Sequence, residues 1–249
     1  MSTAEGGGNV ITRNMLLYLD GANPRSYVGS GTNVVDLTGY NNIGSLENGV
    51  SFNSNNGGTF VFDGVDEKIN FGTTLSSANL TYPFSIDFWI KVNPTGNTTT
   101  TRGIFATSNS EVFAYFGISI QLGNAFNGSG NYKVFLNVGN GLSPGPTGRR
   151  SLNSDSEVLI GDVWTHVVGI FNTGPTFKIY INGSEVSGTV SGTGGVLNWG
   201  TNAKTELGPS NAFNNVLNGT VSNLKFYNTL LTPEEVLQNY NALKSRFGL

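Results

Sequence analysis

Residues 84–92, FSIDFWIKV, alternate without a break, with Phe84, Ile86, Phe88, Ile90 and Val92 on one side and Ser85, Asp87, Trp89 and Lys91 on the other. A two-residue period belongs to an extended strand with one face on a core; a helix repeats its apolar stripe every three or four residues. Shorter runs repeat the pattern at FVF (60–62), INF (69–71), VFAYFGISIQL (112–122) and YKVFLNV (132–138). Between them, NPTGNTTTTRG (93–103), GNAFNGSGN (123–131), GNGLSPGPTGRR (139–150) and SGTVSGTGG (187–195) read as surface connections. With 35 glycines in 249 residues, the chain suits many strands joined by turns and leaves little room for helix.

The stretch WTHVVGIF places Trp164, His166, Val168 and Ile170 on one side and Thr165, Val167, Gly169 and Phe171 on the other. Both sides carry apolar groups, which predicts a central strand. FKIYINGSEV then supplies a hairpin, because Asn182 and Gly183 both accept the positive φ of a two-residue turn. The C-terminus differs in kind. Thr232 can cap, Pro233 suits a first turn and Glu235 completes a capping box; Val236, Tyr240, Leu243 and Phe247 follow on one face, with Gly248 as a stop. The spacing predicts one amphipathic helix lying across the outside of a sandwich.

Glu5-Gly6-Gly7-Gly8-Asn9 is too flexible and polar to pack, so residues 1–13 read as an N-terminal arm and 14–249 as one domain. Within the arm, Val10-Ile11-Thr12 is a β-branched patch suited to adding a strand to an exposed edge on a neighbour. The start of the chain lacks the basic and apolar regions of a signal peptide, and no run reaches about 18 apolar residues, so no membrane partner is expected. Charged residues make up 12 % and the formal net charge is −3, which leaves no basic face for a phosphate backbone and excludes nucleic acid as a partner. Without cysteine there is no disulfide, thiolate nucleophile or zinc-thiolate site.

The search for chemistry returns little. His166, the single histidine, has no Ser, Cys, Asp or Glu near it in a triad or zinc spacing and reads as a core or rim residue satisfying a backbone group. A glycosidase needs two carboxylates roughly 5–10 Å apart across a sugar bond. Asp87 stands alone on its strand, and Asp155 and Glu157 lie in a Ser-rich segment that reads as solvated surface. Asp63 and Asp66 offer oxygens of the kind calcium takes on turns, while a tight turn with Asp63 bonding its own backbone accounts for the same residues and is favoured. Among Trp89, Trp164 and Trp199, the last follows a Gly-rich run and is the best candidate for a sugar-stacking platform, with core or edge packing as the competing reading. No catalytic, cofactor or metal residue is assigned, and the ligand-binding residues stay unassigned.

Four segments in order, FVFDGVDEKINFG (60–72), FSIDFWIKV (84–92), WTHVVGIFNTGPTFKIYINGSEV (164–186) and ELGPSNAFNNVLNGTVSNLKFYNTLLTPEEVLQNYNALK (206–244), resemble the laminin G-like, concanavalin A-like jelly-roll domains. The resemblance implies an all-β fold, a two-sheet antiparallel jelly-roll sandwich with one short C-terminal helix. YLDGANPRSYVGSGTNVVDLTGYNN (18–42) and the final element look most like versions in structural proteins of tailed bacteriophages. Relatives bind glycans or proteins, often with calcium at the rim, and a related branch hydrolyses β-glucans. The acidic strand of that branch has no match here, and Ser222 and Asn223 stand where the family's final element often carries an acidic pair. In the family the position of His166 is a structural feature of its strand.

These readings lead to an expectation: a non-enzymatic virion structural or decoration protein of a tailed phage, without cofactor, binding host or environmental glycans through sandwich-end loops. Its expected partners are other capsid or tail proteins and further copies of itself, and its expected location is the virion. The alternative is a polysaccharide-processing enzyme or a secreted carbohydrate-binding module of the same superfamily.

Overall fold

The computed structural model describes residues 9–75, 80, 82–95, 101–107, 115–123, 129–142, 145–173, 176–201, 203–208 and 216–249. The first half of their fold runs β1 (Met15–Asp20), β2 (Asn33–Val35), β3 (Ile43–Glu47), β4 (Ser51–Asn53), β5 (Thr59–Asp63), β6 (Lys68–Asn70), β7 (Phe84–Val92), β8 (Arg102–Ala106) and β9 (Phe116–Gly123). It continues with β10 (Lys133–Asn140), β11 (Arg149–Ser154), β12 (Thr165–Phe171), β13 (Lys178–Ile181), β14 (Ser184–Val186), β15 (Gly188–Ser191), β16 (Glu206–Leu207) and β17 (Asn218–Tyr227). Helix α1 (Pro233–Leu243) and a 3-10 turn (Lys244–Phe247) close the chain.

The strands make two antiparallel sheets. One is ordered β14-β13-β12-β7-β17-β5-β4 with β1 also on β17, the other β15-β11-β10-β9-β8-β16-β6-β3-β2. The alternation in β7 sends Phe84, Ile86, Phe88, Ile90 and Val92 into the core between the sheets, where they meet Ile118, Ile120, Val134 and Leu136 of the facing sheet. This is the predicted all-β, two-sheet jelly-roll sandwich. β12 lies between β7 and β13, and the turn at Asn182 (φ 50) and Gly183 (φ 83) makes the predicted hairpin.

A second, smaller core lies on the far side of the β7 sheet, built from Met15, Val168, Ile170, Tyr180, Tyr227, Leu231 and Val236. Helix α1 covers it. The capping box forms as predicted, with Glu235 N donating to Thr232 Oγ1 (3.3 Å) and Thr232 N donating to Glu235 Oε2 (2.9 Å). Gly248 then takes the left-handed conformation (φ 76) that stops the helical run. Because of this cover, the face of β7 carrying Ser85, Asp87 and Trp89 is buried too, and Trp89 stacks on Phe247 at 4.3 Å and on Tyr240 at 5.7 Å.

A bulge in β17 aims its side chains at both cores. Val221 pairs with Ile90 and Asn223 with Trp89, leaving Ser222 unpaired against β7. Val221, Leu224 and Phe226 therefore point into the sandwich, while Lys225 and Tyr227 point towards the helix.

Several expectations are corrected. Segment 187–195, expected as a connection, contains β15, which pairs with β11 through Leu152 and Val190; it is an exposed edge strand held by backbone bonds, so its sequence carries no apolar period. Gly123, Gly139, Asn140, Arg149, Arg150, Arg102 and Gly103 also belong to strands. Residues 9–13, expected as arm, lie on the chain's own helix. Ile11 N donates to Asn239 Oδ1 (2.8 Å), Arg13 reaches Glu235 (2.5 Å), and Val10 and Ile11 pack on the second core. Residues 1–8, and the parts of the expected strand and connections at 112–114, 96–100, 124–128 and 143–144, lie outside the described residues.

Candidate functional site

Asp87, expected to stand alone, is the centre of a buried polar cluster. Its Oδ1 accepts from Lys225 Nζ at 2.6 Å and its Oδ2 from Asn239 Nδ2 at 2.7 Å. His166 Nε2 lies 3.1 Å from the same Oδ2 without the alignment of a hydrogen bond. Lys225 also donates to Asn223 Oδ1 (3.0 Å), and Asn239 to Tyr227 Oη (3.1 Å). Burial by itself would raise the Asp87 carboxyl, but Lys225 and His166 beside it outweigh that effect and hold it below the ordinary carboxylate range. The Tyr227 and Tyr18 hydroxyls are pushed up, chiefly by burial.

A histidine against a carboxylate can orient a base for catalysis. Here both side chains are fully buried, between Trp89 (5.3 Å from the imidazole) and Tyr240 (5.9 Å), so no substrate reaches them. The cluster is architectural, and the reading of His166 as a core residue stands with a different partner. Its backbone N bonds Asn182 Oδ1 (2.9 Å), while its ring faces Asp87.

Of the other carboxylates considered in the sequence, those of Asp63, Asp155 and Glu157 are also committed internally. Asp63 Oδ1 accepts from Val65 N (2.8 Å), the tight turn favoured above, and Glu67 Oε2 accepts from Asp63 N (3.2 Å). Burial, with Asp63 alongside, pushes the Glu67 carboxyl up. Asp66 uses its backbone carbonyl to receive Asn48 Nδ2 (2.9 Å). Asp155 Oδ1 accepts from Thr189 Oγ1 and Glu157 Oε2 from Ser129 Oγ. Among the described residues no three of His, Cys, Asp or Glu gather in a way that could hold a metal ion.

The three tryptophans separate. Trp89 is fully buried under the helix, and Trp164 stacks on Phe247 (4.6 Å) and donates to Asn56 Oδ1 (3.1 Å). Trp199 is half-buried at the end of the sandwich, held by its Nε1 donating to Leu80 O at 2.7 Å and by Phe84 at 6.2 Å. It lines a groove of about 670 Å³ together with Asn140, Leu142, Thr193, Val196 and Asn198.

This groove forms where β10 ends and the chain runs from β15 to β16. Asn198 N donates to Gly139 O (3.0 Å) and Gly117 N to Asn198 O (2.7 Å), so segment 195–200 is pinned to the ends of β9 and β10. Gly139 is needed there, because a Cβ would lie 2.3 Å from the Tyr115 carbonyl. Asn140 Oδ1 receives Leu142 N and its Nδ2 binds Thr147 O, which fixes the amide at the groove wall. Leu142 and Val196 are 81 % and 77 % exposed, two aliphatic groups in the open, the first tied through its backbone N to Asn140. Among the described residues the lining offers amides, a hydroxyl, an indole and aliphatic surface, and no carboxylate. Of these residues the sequence had singled out only Trp199; the others sit in stretches whose turn-forming composition hides which residues converge.

A family model described as the concanavalin A-like lectin/glucanases superfamily matches residues 63–237. No curated protein matches the chain by sequence. Among solved structures, domain 4 of AbnA, a GH43 extracellular arabinanase from Geobacillus stearothermophilus in complex with arabinotriose, superposes with a TM-score of 0.60 at 21 % identity, over 91 % of this chain and 98 % of that one. Botulinum neurotoxin type C, whose cell entry depends on interaction with two ganglioside molecules, gives 0.64 at 18 % identity over 94 % of this chain. The binding domain of botulinum neurotoxin DC, in complex with rat synaptotagmin II, gives 0.66 at 17 % identity over 94 %. The chain spans 52 % of each of these two neurotoxin chains, and at such identities the likeness is one of fold. With a match over residues 63–237 and this sandwich around it, the chain belongs to the concanavalin A-like lectin/glucanase superfamily.

Proposed function

We propose that the chain is a non-enzymatic glycan-recognition module whose site is the sandwich-end groove. The observation that carries this reading is the pairing of a fixed indole, Trp199, and exposed Leu142 and Val196 with the amides of Asn140 and Asn198. Sugar rings present apolar C–H faces and hydroxyl edges, and such a lining meets both. Asp87, Glu206, Asp20 and Glu235 are engaged with Lys225, Lys68, Arg246 and Arg13, and among the described residues no carboxylate lines the groove. An arabinanase domain of the same fold, solved with arabinotriose, supports the sugar reading by analogy.

The module's place is the surface of a tailed-phage particle, a reading supported by the resemblance of 18–42 and of the final element to phage structural proteins. A glycan array tests the binding: wild type should bind a defined set of oligosaccharides, and Leu142→Glu, on a side chain with no structural duty, should lose them. A blank array would leave an architectural protein, and reducing-end release from a polysaccharide would favour the enzyme alternative. Immunogold labelling of purified particles tests the location.

A further inference from the structure

We infer that the buried cluster under the helix forms a covalent bond within the chain: Lys225 Nζ joins Asn239 Cγ in an amide that staples β17 to α1, with loss of ammonia. Asp87 holds both reactants on one carboxylate, Lys225 Nζ on Oδ1 at 2.6 Å and Asn239 Nδ2 on Oδ2 at 2.7 Å. All three side chains are fully buried. The carbonyl oxygen of the Asn239 side chain already receives a backbone donor, Ile11 N at 2.8 Å. An amine, an amide, a carboxylate touching both and an N–H on the amide oxygen are the parts that attack of an amine on an amide needs.

Each part has a place in the step. Asp87 Oδ1 takes a proton from the Lys225 ammonium, and the neutral amine attacks Asn239 Cγ. As the new N–C bond forms, the carbonyl electron pair moves onto Asn239 Oδ1, where Ile11 N–H faces the developing charge. The carbonyl then re-forms and the Cγ–Nδ2 bond breaks. The leaving nitrogen faces Asp87 Oδ2 and collects, through that carboxyl group, both protons that Nζ sheds, one before the attack and one after it. The products are a secondary amide and an ammonium ion, with the total charge unchanged and Asp87 a carboxylate again. Because the three side chains expose no surface, water does not compete with the amine and the reactants stay in register. Asn223 Oδ1 also accepts from Nζ (3.0 Å), but the Asn223 nitrogen faces Ser222 Oγ (3.4 Å) instead of an acid, so Asn239 is the partner assigned. The reaction takes no outside substrate, in keeping with a cluster that solvent does not reach, and the ion pair is the state that precedes it.

Mass spectrometry of the purified full chain tests the bond. The intact mass should lie below that of the sequence by about 17 Da, the ammonia lost. Glutamyl endopeptidase, cutting after Glu206 and Glu235 in denaturant, should leave 207–235 and 236–249 joined as one branched product, with fragmentation placing the link at Lys225 and Asn239. Lys225→Arg keeps the positive charge without the amine; it should show the full sequence mass and release 236–249. Should that variant not fold, the wild-type digest decides alone. A wild-type chain at full sequence mass that releases 236–249 overturns the inference. A mass loss with 236–249 released overturns it as well, since the ammonia then comes from a succinimide at an Asn-Gly pair or from a bond between Lys225 and Asn223.

Discussion

Lys225 Nζ lies 2.6 Å from Asp87 Oδ1 with both side chains fully buried, on neighbouring strands and under the C-terminal helix. Removing one partner strands the other charge away from water. Asp87→Asn or Lys225→Met should each cost roughly 3–5 kcal/mol in urea unfolding, and a double change to Leu and Met should cost less than the sum of the two.

The same pair sets an acid dependence. Asp87 has a folded pKa held below its unfolded value, so its stabilisation is complete above about pH 4 and is lost as pH falls from there through the folded pKa. The melting temperature of wild type should fall in that acid range. In Asp87→Asn that part of the slope should be missing.

His166 touches Asp87, Trp89 and Tyr240 and faces no solvent. His166→Gln should lower stability by about 1–2 kcal/mol, the scale of one buried polar contact. Glycan binding should not change, since the groove lies elsewhere; an abolished affinity in a folded variant would contradict the architectural role.

Phe247 is the aromatic lid on Trp89 and Trp164, at 4.3 and 4.6 Å. Phe247→Ala should cost about 3 kcal/mol and expose indole, visible as a red shift in tryptophan emission. Deleting 233–249 uncovers the whole second core and should leave a chain of low solubility.

The N-terminal segment clasps that helix through Ile11 N on Asn239, Arg13 on Glu235, and Tyr227 Oη on Ile11 O. Arg13 beside it also lowers the Glu235 carboxyl. Removing residues 1–13 should depress the melting temperature by roughly 4–8 °C, if the lost contacts sum to about 2 kcal/mol. An unchanged melting temperature would show that the clasp adds nothing to stability.

The local patterns of the sequence determined what depends on neighbours a few residues apart. Strict alternation identified β7, two apolar sides placed β12 inside a sheet, Asn182-Gly183 set the hairpin, and Thr232 to Glu235 started the helix, because each is a statement about backbone conformation or one face of one element. A two-residue period reports that a strand has two faces, but not what lies on the second. Asp87 looked solitary since Lys225 and Asn239 stand 138 and 152 residues away, and only pairing of β7 with β17 and docking of α1 bring them to one carboxylate. The bulge at Ser222, which turns Lys225 towards that carboxylate, leaves no period to read in VSNLKFY. The groove is hidden for the same reason: Asn140 and Trp199 come from separate turn-rich stretches, and their convergence is decided by where β9 and β10 end.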